Sequence, residues 1–501
     1  MVEHPALADL PEQRVAAQGR STTRSGPADH VVTGTGNASL VGLTWLPRTA
    51  PADGTRVEVR GRDSTGRWTA WTATSVEADT DPVAEAAGRV TRVGTEPVWF
   101  GPVTSVQVRF ADAAAAKVRT GRLELVEPRR AAADARSSAP AASARAATSR
   151  PAVLSRAAWG ANESLRSCTP SYGSTTLASV VHHTAGSNNY TKAQSAAIVR
   201  GVYAYHTRSR GWCDIGYNAL VDRYGQVFEG RYGGLDRPVT GAHTTGFNTD
   251  TFGVSVLGTF STAAPPAAAV NALTNLLAWR ASSFYRNPTG TTVLTSRSSN
   301  SRYRAGTKVT MPFILGHRNL GYTECPGNAF YPRLGALRTA VAARTAYTSS
   351  PLYRRWASLG GASGRLGPVW RGEAPMPFGA RTVFQNARAG YAVGSSTRIL
   401  GSGIDALYWR SGGPGRWGAP LTDEQLGTRG SWVSFSAGYS AAWSPATGSQ
   451  PLHGSLGAYW LRTGAENSPV GFPREPERAL ANGWSQQFRV ANVYVKRGGA
   501  S

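Results

Sequence analysis

Two kinds of hydrophobic pattern alternate along the chain, and the changes between them mark its organisation. Between residues 31 and 126, apolar positions recur at every second residue in short runs. These are "SLVGLTWL", "RVEVRGR", "RWTAWTAT", "PVWFG", "SVQVRFA" and "GRLELVE", separated by turn residues. A period of two puts one face of a strand in a core and the other outside it. Turns at this spacing predict a small β-sandwich. Residues 1–30 are polar and unpatterned, and are expected to be disordered. Residues 127–150, "EPRRAAADARSSAPAASARAATSR", have the composition of a linker.

From 151 to 347 the pattern mixes both periods. "SVVHH" reads as a buried strand ending on two histidines. Thr191 with Gln194 forms a capping box. The helix it starts runs through about Ser209, with Ile198, Val202 and His206 on one face. "YNALVDRYGQVFEGR" predicts a hairpin, "FGVSVLGTF" a buried strand and "AAVNALTNLLAWRASSFY" a second helix. "FILGHR" is a further strand and "NAFYPRLGALRTAVAAR" a closing helix. Helices interleaved with strands predict an α/β layer structure, a sheet covered by helices. Residues 349–501 repeat. Trp356, Trp409 and Trp460 lie 53 and 51 residues apart, and Phe384, Phe435 and Phe488 keep a similar interval. Each Trp precedes a Gly-rich element, "GRLGPV", "GRWGAPL" or "SPVGFPR". A fixed period predicts an array of one turn-rich β unit, an architecture suited to binding or spacing.

Composition narrows the classes. At 501 residues the chain predicts two to four domains, and 15 Trp can fill several cores. No apolar run reaches eighteen residues, so no transmembrane segment is expected. The start, "MVEHPALADLPEQ", has neither a charged n-region nor an apolar h-region. The net charge of +24 is carried almost wholly by Arg; lysine occurs only at Lys117, Lys192, Lys308 and Lys496. Such charge favours polyanions. No zinc-finger, helix-turn-helix, RRM or heptad signature accompanies it, so no specific nucleic-acid partner is expected. The three cysteines, Cys168, Cys213 and Cys325, exclude a disulfide scaffold and allow one bridge plus one thiol with another task.

The candidate chemistry lies at strand ends in the middle segment. His182 ends one strand, and "GHRNLGYTECPG" ends another with His317 and Cys325 eight residues apart. Two imidazoles and a thiolate are a ligand set for zinc that leaves a fourth position for water. By spacing alone, a satisfied strand histidine and a buried cysteine fit equally well. Asp214 and Glu229 form a possible acid pair, while the N-terminal sandwich offers no cluster of His, Cys or paired acids and reads as a binding or spacer module.

The ordered set "VVHHTAG", "GWCDIGYN", "FEGR", "GAHTTGFNTDTFGVSVLG" and "GHRNLGYTECPG" resembles the type 2 N-acetylmuramoyl-L-alanine amidases, in the branch shared with peptidoglycan recognition proteins. The resemblance covers about residues 153–345. It implies a zinc amidase fold, a mixed central sheet with surrounding helices and a Zn2+ ion in a surface groove. His182, His317 and Cys325 fill the ligand positions, His183 does not, and Tyr217 is the family's catalytic tyrosine. Thr323 stands where phage relatives carry Lys. Ser255 stands where the cytosolic recycling amidases carry Glu, which leaves the general base open. His206, His243 and Asn248 match groove residues, and the resemblance makes Asp214 and Glu229 structural. Gly211, Trp212 and Arg231 match the positions that accompany diaminopimelate-type stems, whose extra carboxylate an Arg fork can hold. The family also pairs Cys168 with Cys213. A disulfide implies an oxidising compartment, so the expectation is a secreted, cell-wall-associated protein with its signal peptide trimmed. The terminal repeats are similar to LGFP repeats, with "VGFP" at 470–473 nearest the motif, which implies attachment to a cell-envelope polymer. Hydrolysis of the muramoyl–L-alanine amide of peptidoglycan is the expected activity. A wall-binding protein that does not cut is the alternative, disfavoured by retention of Cys325 and Tyr217.

Overall fold

The computed structural model describes residues 2–3, 12–13, 29–33, 35, 38–110, 120–128, 131, 134 and 150–496. Most of the two segments expected as disordered and linker, 1–30 and 127–150, lies outside these residues. Within the first, Val2–Glu3 (β1) and Glu12–Gln13 (β2) are short strands paired into the N-terminal domain.

The remaining strands of that domain are β3 (Asp29–Thr33), β4 (Leu40–Trp45), β5 (Arg56–Arg62), β6 (Thr72–Glu77), β7 (Val93–Thr95), β8 (Val98–Trp99), β9 (Ser105–Phe110) and β10 (Arg122–Val126). They form two antiparallel layers. One holds β1, β10, β4 and β7, with β8 on β4; the other holds β2, β3, β9 and β5. Strand β6 joins them: its first half pairs with β5 and its last residues, Val76 and Glu77, pair with Thr95 and Gly94 of β7. The alternation seen in the sequence supplies the core, with Val41, Leu43, Val57, Val59, Val106, Val108, Leu123 and Leu125 packed between the layers. Strand β4 is buried on both faces. Its outer face carries Leu40, which packs with Ile198, Val199 and Val202 of the central domain. Gly42 is needed there, because a Cβ would meet the Tyr205 ring at 2.5 Å. The Tyr205 hydroxyl donates to the carbonyls of Leu43 and Thr95 at 3.0 and 2.8 Å.

The central domain has a six-stranded mixed sheet. Its strands are β11 (Val153–Leu154), β12 (Ala178–His183), β13 (Ala219–Val221), β14 (Val227–Glu229), β15 (Thr251–Val256) and β18 (Ile314–Gly316). The order is β11-β14-β13-β15-β12-β18, parallel except for the β13–β14 hairpin. A two-stranded ribbon, β16 (Thr291–Thr295) and β17 (Lys308–Pro312), precedes β18. Helix α1 (Pro82–Ala86) belongs to the N-terminal domain; α2 (Ser195–Ala204), α3 (Ala267–Ser283) and α4 (Leu334–Ala342) cover the sheet. Helix α2 packs on one face through Leu220 and Phe228, whereas α3 and α4 pack on the other through Val181, Val254 and Ile314. The Thr191–Gln194 capping box forms as the sequence predicts, and α2 ends in a π-turn at Tyr205–Ser209.

The second compact unit runs from Ala346 onward and includes Ser283–Tyr285. It repeats a short helix followed by antiparallel strands three times. The helices are Pro351–Ser358, Ser402–Arg410 and Gly454–Arg462, before sheets of four, four and three strands. The middle repeat corrects the expected alignment. Trp356 and Trp460 donate through Nε1 to the Gly367 and Gly471 carbonyls at 2.9 and 2.8 Å. The equivalent bond in the middle repeat comes from the Tyr408 hydroxyl to Gly418, at 2.7 Å. Trp409 instead turns outward, 42% exposed. The true register is Trp356, Tyr408, Trp460, an even spacing of 52 residues.

Candidate metal centre and its groove

The period of a strand decides which histidine enters the site. Successive side chains of β12 point to opposite faces, so the pair is split. His183 accepts through Nδ1 from the Phe260 N–H at 3.2 Å, on the side of α3 and α4. His182 faces the groove, where its Nδ1 lies 3.7 Å from Cys325 Sγ and its ring 4.6 Å from that of His317. His317 follows the last residue of β18, and Cys325 is brought back by the loop after it. The Cys325 N–H donates to Thr323 Oγ1 at 3.0 Å, and the His183 N–H to Cys325 Sγ at 3.3 Å.

Among the described residues, the ligand atoms of His182, His317 and Cys325 all lie within 4.8 Å of one another. They fit zinc on two further grounds. Nδ1 of His317 is buried without a hydrogen-bond partner, an orphan that a metal would satisfy. Burial holds His182 well below its ordinary pKa, so the ring is the neutral form a metal requires. Burial pushes the Cys325 thiol up to about 11, against the pull of the neighbouring His317.

His243 is buried beside His182. Its Nδ1 meets His182 Nε2 at 3.1 Å, and its ring packs where Cβ atoms on Gly241 or Gly253 would lie. This is the place of a group that orients a ligand ring. Asn248 likewise shapes the loop, accepting from the N–H groups of His243 and Thr244 at 2.7 and 2.9 Å. Tyr217 sits with its ring 5.2 Å from that of His182. Burial, with the nearby Glu96 carboxylate, raises its phenol well above the usual value, so it stays protonated. Ser255 pairs in register with His182, and its hydroxyl is buried without a partner.

The other end of the groove holds the remaining candidates. The His206 ring packs on Trp212, tilted by 32° with centroids 4.5 Å apart, and its Nδ1 accepts from the Gly216 N–H at 3.1 Å. Gly211 adopts φ +74° beside them. Cys213 is bonded to Cys168. Asp214 meets Arg156 at 3.0 Å, and the Glu229 backbone carbonyl accepts from Trp159 Nε1.

Sequence reasoning missed the groups that the N-terminal domain sends here. The Thr323 hydroxyl donates to Glu77 Oε1 at 2.8 Å, Asp79 lies 3.4 Å from His317 Nε2, and Arg231 donates to Asp81 Oδ2 at 2.6 Å. The expectation of no paired acids in that domain is therefore corrected. Burial raises Glu77, whereas His317 holds Asp79 down against the same burial penalty, and Asp79 in turn raises His317 against burial.

Comparison with known proteins adds the wider context. The N-acetylmuramoyl-L-alanine amidase family profile matches residues 173–328. The "Rv3811 N-terminal galactose-binding domain-like" profile matches 4–147, and the LGFP repeat profile 418–468. Peptidoglycan-recognition protein SC2 of Drosophila simulans is 35% identical over 180 residues, covering 35% of this chain and 80% of that protein. Peptidoglycan recognition protein 1 of Bos indicus is 34% identical over 180 residues, covering 36% and 80%. The structure of wild-type Drosophila PGRP-LB is 25% identical, covers 37% of this chain and 93% of its own, and gives a TM-score of 0.29. With four-fifths of these relatives spanned at more than 30% identity, the chain belongs to the family that joins N-acetylmuramoyl-L-alanine amidases to peptidoglycan recognition proteins, and it carries LGFP repeats behind that domain.

Proposed function

We propose that the protein is a secreted, zinc-dependent N-acetylmuramoyl-L-alanine amidase acting on diaminopimelate-type peptidoglycan. The observation that carries this reading is the convergence of His182, His317 and Cys325 beside a protonated Tyr217. A zinc ion held by those three residues supplies Lewis acidity and lowers the pKa of water to roughly 7. The protein supplies the rest. His243 fixes the His182 ring. The Tyr217 phenol, kept neutral by burial, is a donor for the oxyanion that develops when the amide carbonyl is attacked. Thr323 presents a hydroxyl two residues from the ligand Cys325, placed to orient water or carbonyl. Arg231 carries a second donor nitrogen, Nη1, that is buried and unpartnered, as a carboxylate-binding fork needs. The Cys168–Cys213 bond supports an oxidising compartment, and the repeats support retention at a cell-envelope polymer. A recognition role without cleavage is favoured by one observation, the names of the relatives themselves.

Digestion of purified diaminopimelate-type peptidoglycan, followed by mass spectrometry, tests the reading. Stem peptides beginning with L-alanine are expected from the zinc-loaded protein and are lost after chelation and in Cys325→Ser. Lys-type peptidoglycan is expected to be cut more slowly. Sacculus binding with no released peptide under any condition would establish the recognition role instead.

A further inference from the structure

The candidate metal ligands and the arginine of the groove are shut away from solvent. His182, His317 and Cys325 are 1%, 3% and 2% exposed, and Arg231, on the far side, 5%. A cross-linked polymer cannot reach groups so buried. A segment of the N-terminal domain lies against them; it leaves β6 at Glu77, forms α1 and returns through β7 and Glu96. We propose that this segment is an autoinhibitory cover that occupies the peptidoglycan groove, and that it must move before substrate binds. The proposal rests on the amidase reading above and assigns its regulation.

The cover is held as a peptide ligand would be. Glu77, Asp79 and Asp81 alternate along extended chain, so their carboxylates advance by roughly 6–7 Å per pair of residues. They meet three successive stations: Thr323, His317 and Arg231. Between them, the Thr80 N–H donates to Thr245 Oγ1 at 2.9 Å, and the Thr245 N–H to Asp79 Oδ1 at 2.8 Å. Arg210 donates to the carbonyls of Asp79 and Arg92 at 2.7 Å each, clasping both limbs of the segment. Asp81 places its carboxylate on the arginine that the stem carboxylate would use, and accepts from the Cys213 N–H at 2.9 Å.

The fit is incomplete. Arg231 Nη1, His206 Nε2 and Trp212 Nε1 stay buried and without partners. Native interiors satisfy such groups, so three orphans in one groove mark a surface shaped for something other than its present occupant. Part of the docking of the domain is separate from the cover, although Tyr205 also bonds the Thr95 carbonyl on the return limb. Leu40 and Val126 pack against α2 on apolar contacts, away from the carboxylates. The segment can therefore leave the groove while the domain stays attached.

The test uses the full-length chain in three forms: wild type, Asp81→Asn, and Glu77→Gln/Asp79→Asn/Asp81→Asn. Asp81→Asn is the mild form. Asp81 Oδ1 caps α1 by accepting from the Val83 and Ala84 N–H groups, a role an Asn oxygen keeps. The amide nitrogen then faces Arg231 as a second donor, and removing one partner of a buried pair is strongly opposed. The first readout is the rate at which an aromatic disulfide reagent labels Cys325, the one free cysteine, in zinc-free protein. The second is release of stem peptides after zinc is restored. Both variants are expected to be labelled about tenfold faster or more, with peptide release rising by a similar factor. Fast labelling of wild type, equal labelling of all forms, or peptide release that is unchanged or lower in Asp81→Asn overturns the proposal. Faster labelling with no peptide from any form leaves the cover standing and sinks the amidase reading. Should the triple variant not fold, by circular dichroism, Asp81→Asn decides alone.

Discussion

Replacing both Cys168 and Cys213 with Ser isolates what the disulfide contributes. The bond joins residues 45 apart in sequence. Chain-entropy loss for a closed loop of that length stabilises the native state by about 4 kcal/mol at 25 °C. The native contacts around it persist without it, because the Ser167 N–H still donates to the Cys213 carbonyl at 3.1 Å and serine is nearly isosteric. The cost therefore falls on the unfolded chain, which gains freedom. For a domain of this size, each kcal/mol moves the midpoint by about 2–4 °C, so a fall of about 8–16 °C is expected. Differential scanning calorimetry of the full chain measures it, with chelator in both samples so that metal linkage does not enter. The transition containing the central domain should move while that of the repeats does not. A shift below about 3 °C would refute the loop-entropy reasoning and mean that the unfolded chain is already constrained between these positions.

Three further outcomes follow from the site. His243→Ala should weaken zinc affinity by about 10–100-fold, the usual effect of losing the group that orients a ligand ring; competition with a chromophoric chelator measures it, and unchanged affinity would return His243 to a packing role. Tyr217→Phe should lower kcat by about 10²–10³ with KM little altered, because the donor acts on charge that develops only in the transition state. Asp53 is raised to about 6, chiefly by burial and against the bond it accepts from the Ala78 N–H. Its folded pKa exceeds the unfolded value, so its contribution to stability is complete below pH 3.8 and is lost as pH rises through about 6. Asp53→Asn keeps the acceptor and should stabilise the protein by roughly 3 kcal/mol at pH 7.5 and hardly at all at pH 3.5; midpoints that differ equally at both pH values would contradict this.

Where a single element's own pattern fixes its environment, the sequence was readable. Period-two runs became the sandwich layers, and the strand ending in His182 and His183 sent one ring to each face. The ribbon β16–β17 was not foreseen, since most of its residues are exposed or half-exposed Thr, Lys and Val, with only Leu294 and Met311 buried. Without an apolar face there is no alternation to detect. The repeat period was visible, but the register of the middle unit was not. A tyrosine hydroxyl reaches the glycine carbonyl that indole Nε1 reaches elsewhere, while the adjacent Trp409 offers the more conspicuous match. Residue type identified the larger ring, and hydrogen-bond geometry identified the equivalent one.

The site divides in the same way. Its metal ligands lie within short motifs of one domain, and the strand order β15-β12-β18 brings two of the three to adjacent strand ends. The carboxylates that meet them come from a domain whose fold gives them no role; Glu77 is 246 residues from Thr323. No local period encodes a contact of that range. A trace was nevertheless present. In a chain with 30 acidic and 54 basic residues, "VEADTDP" places three acids at alternate positions where the sandwich strand ends. On a solvent-facing turn such a run would repel itself, and each carboxylate would lower the stability of the next. Alternation in extended chain is tolerable only where cations and donors face the same side. The groove, with Arg210, Arg231 and His317, is such a place, which is why an acidic run in a strongly basic chain points inward to the site.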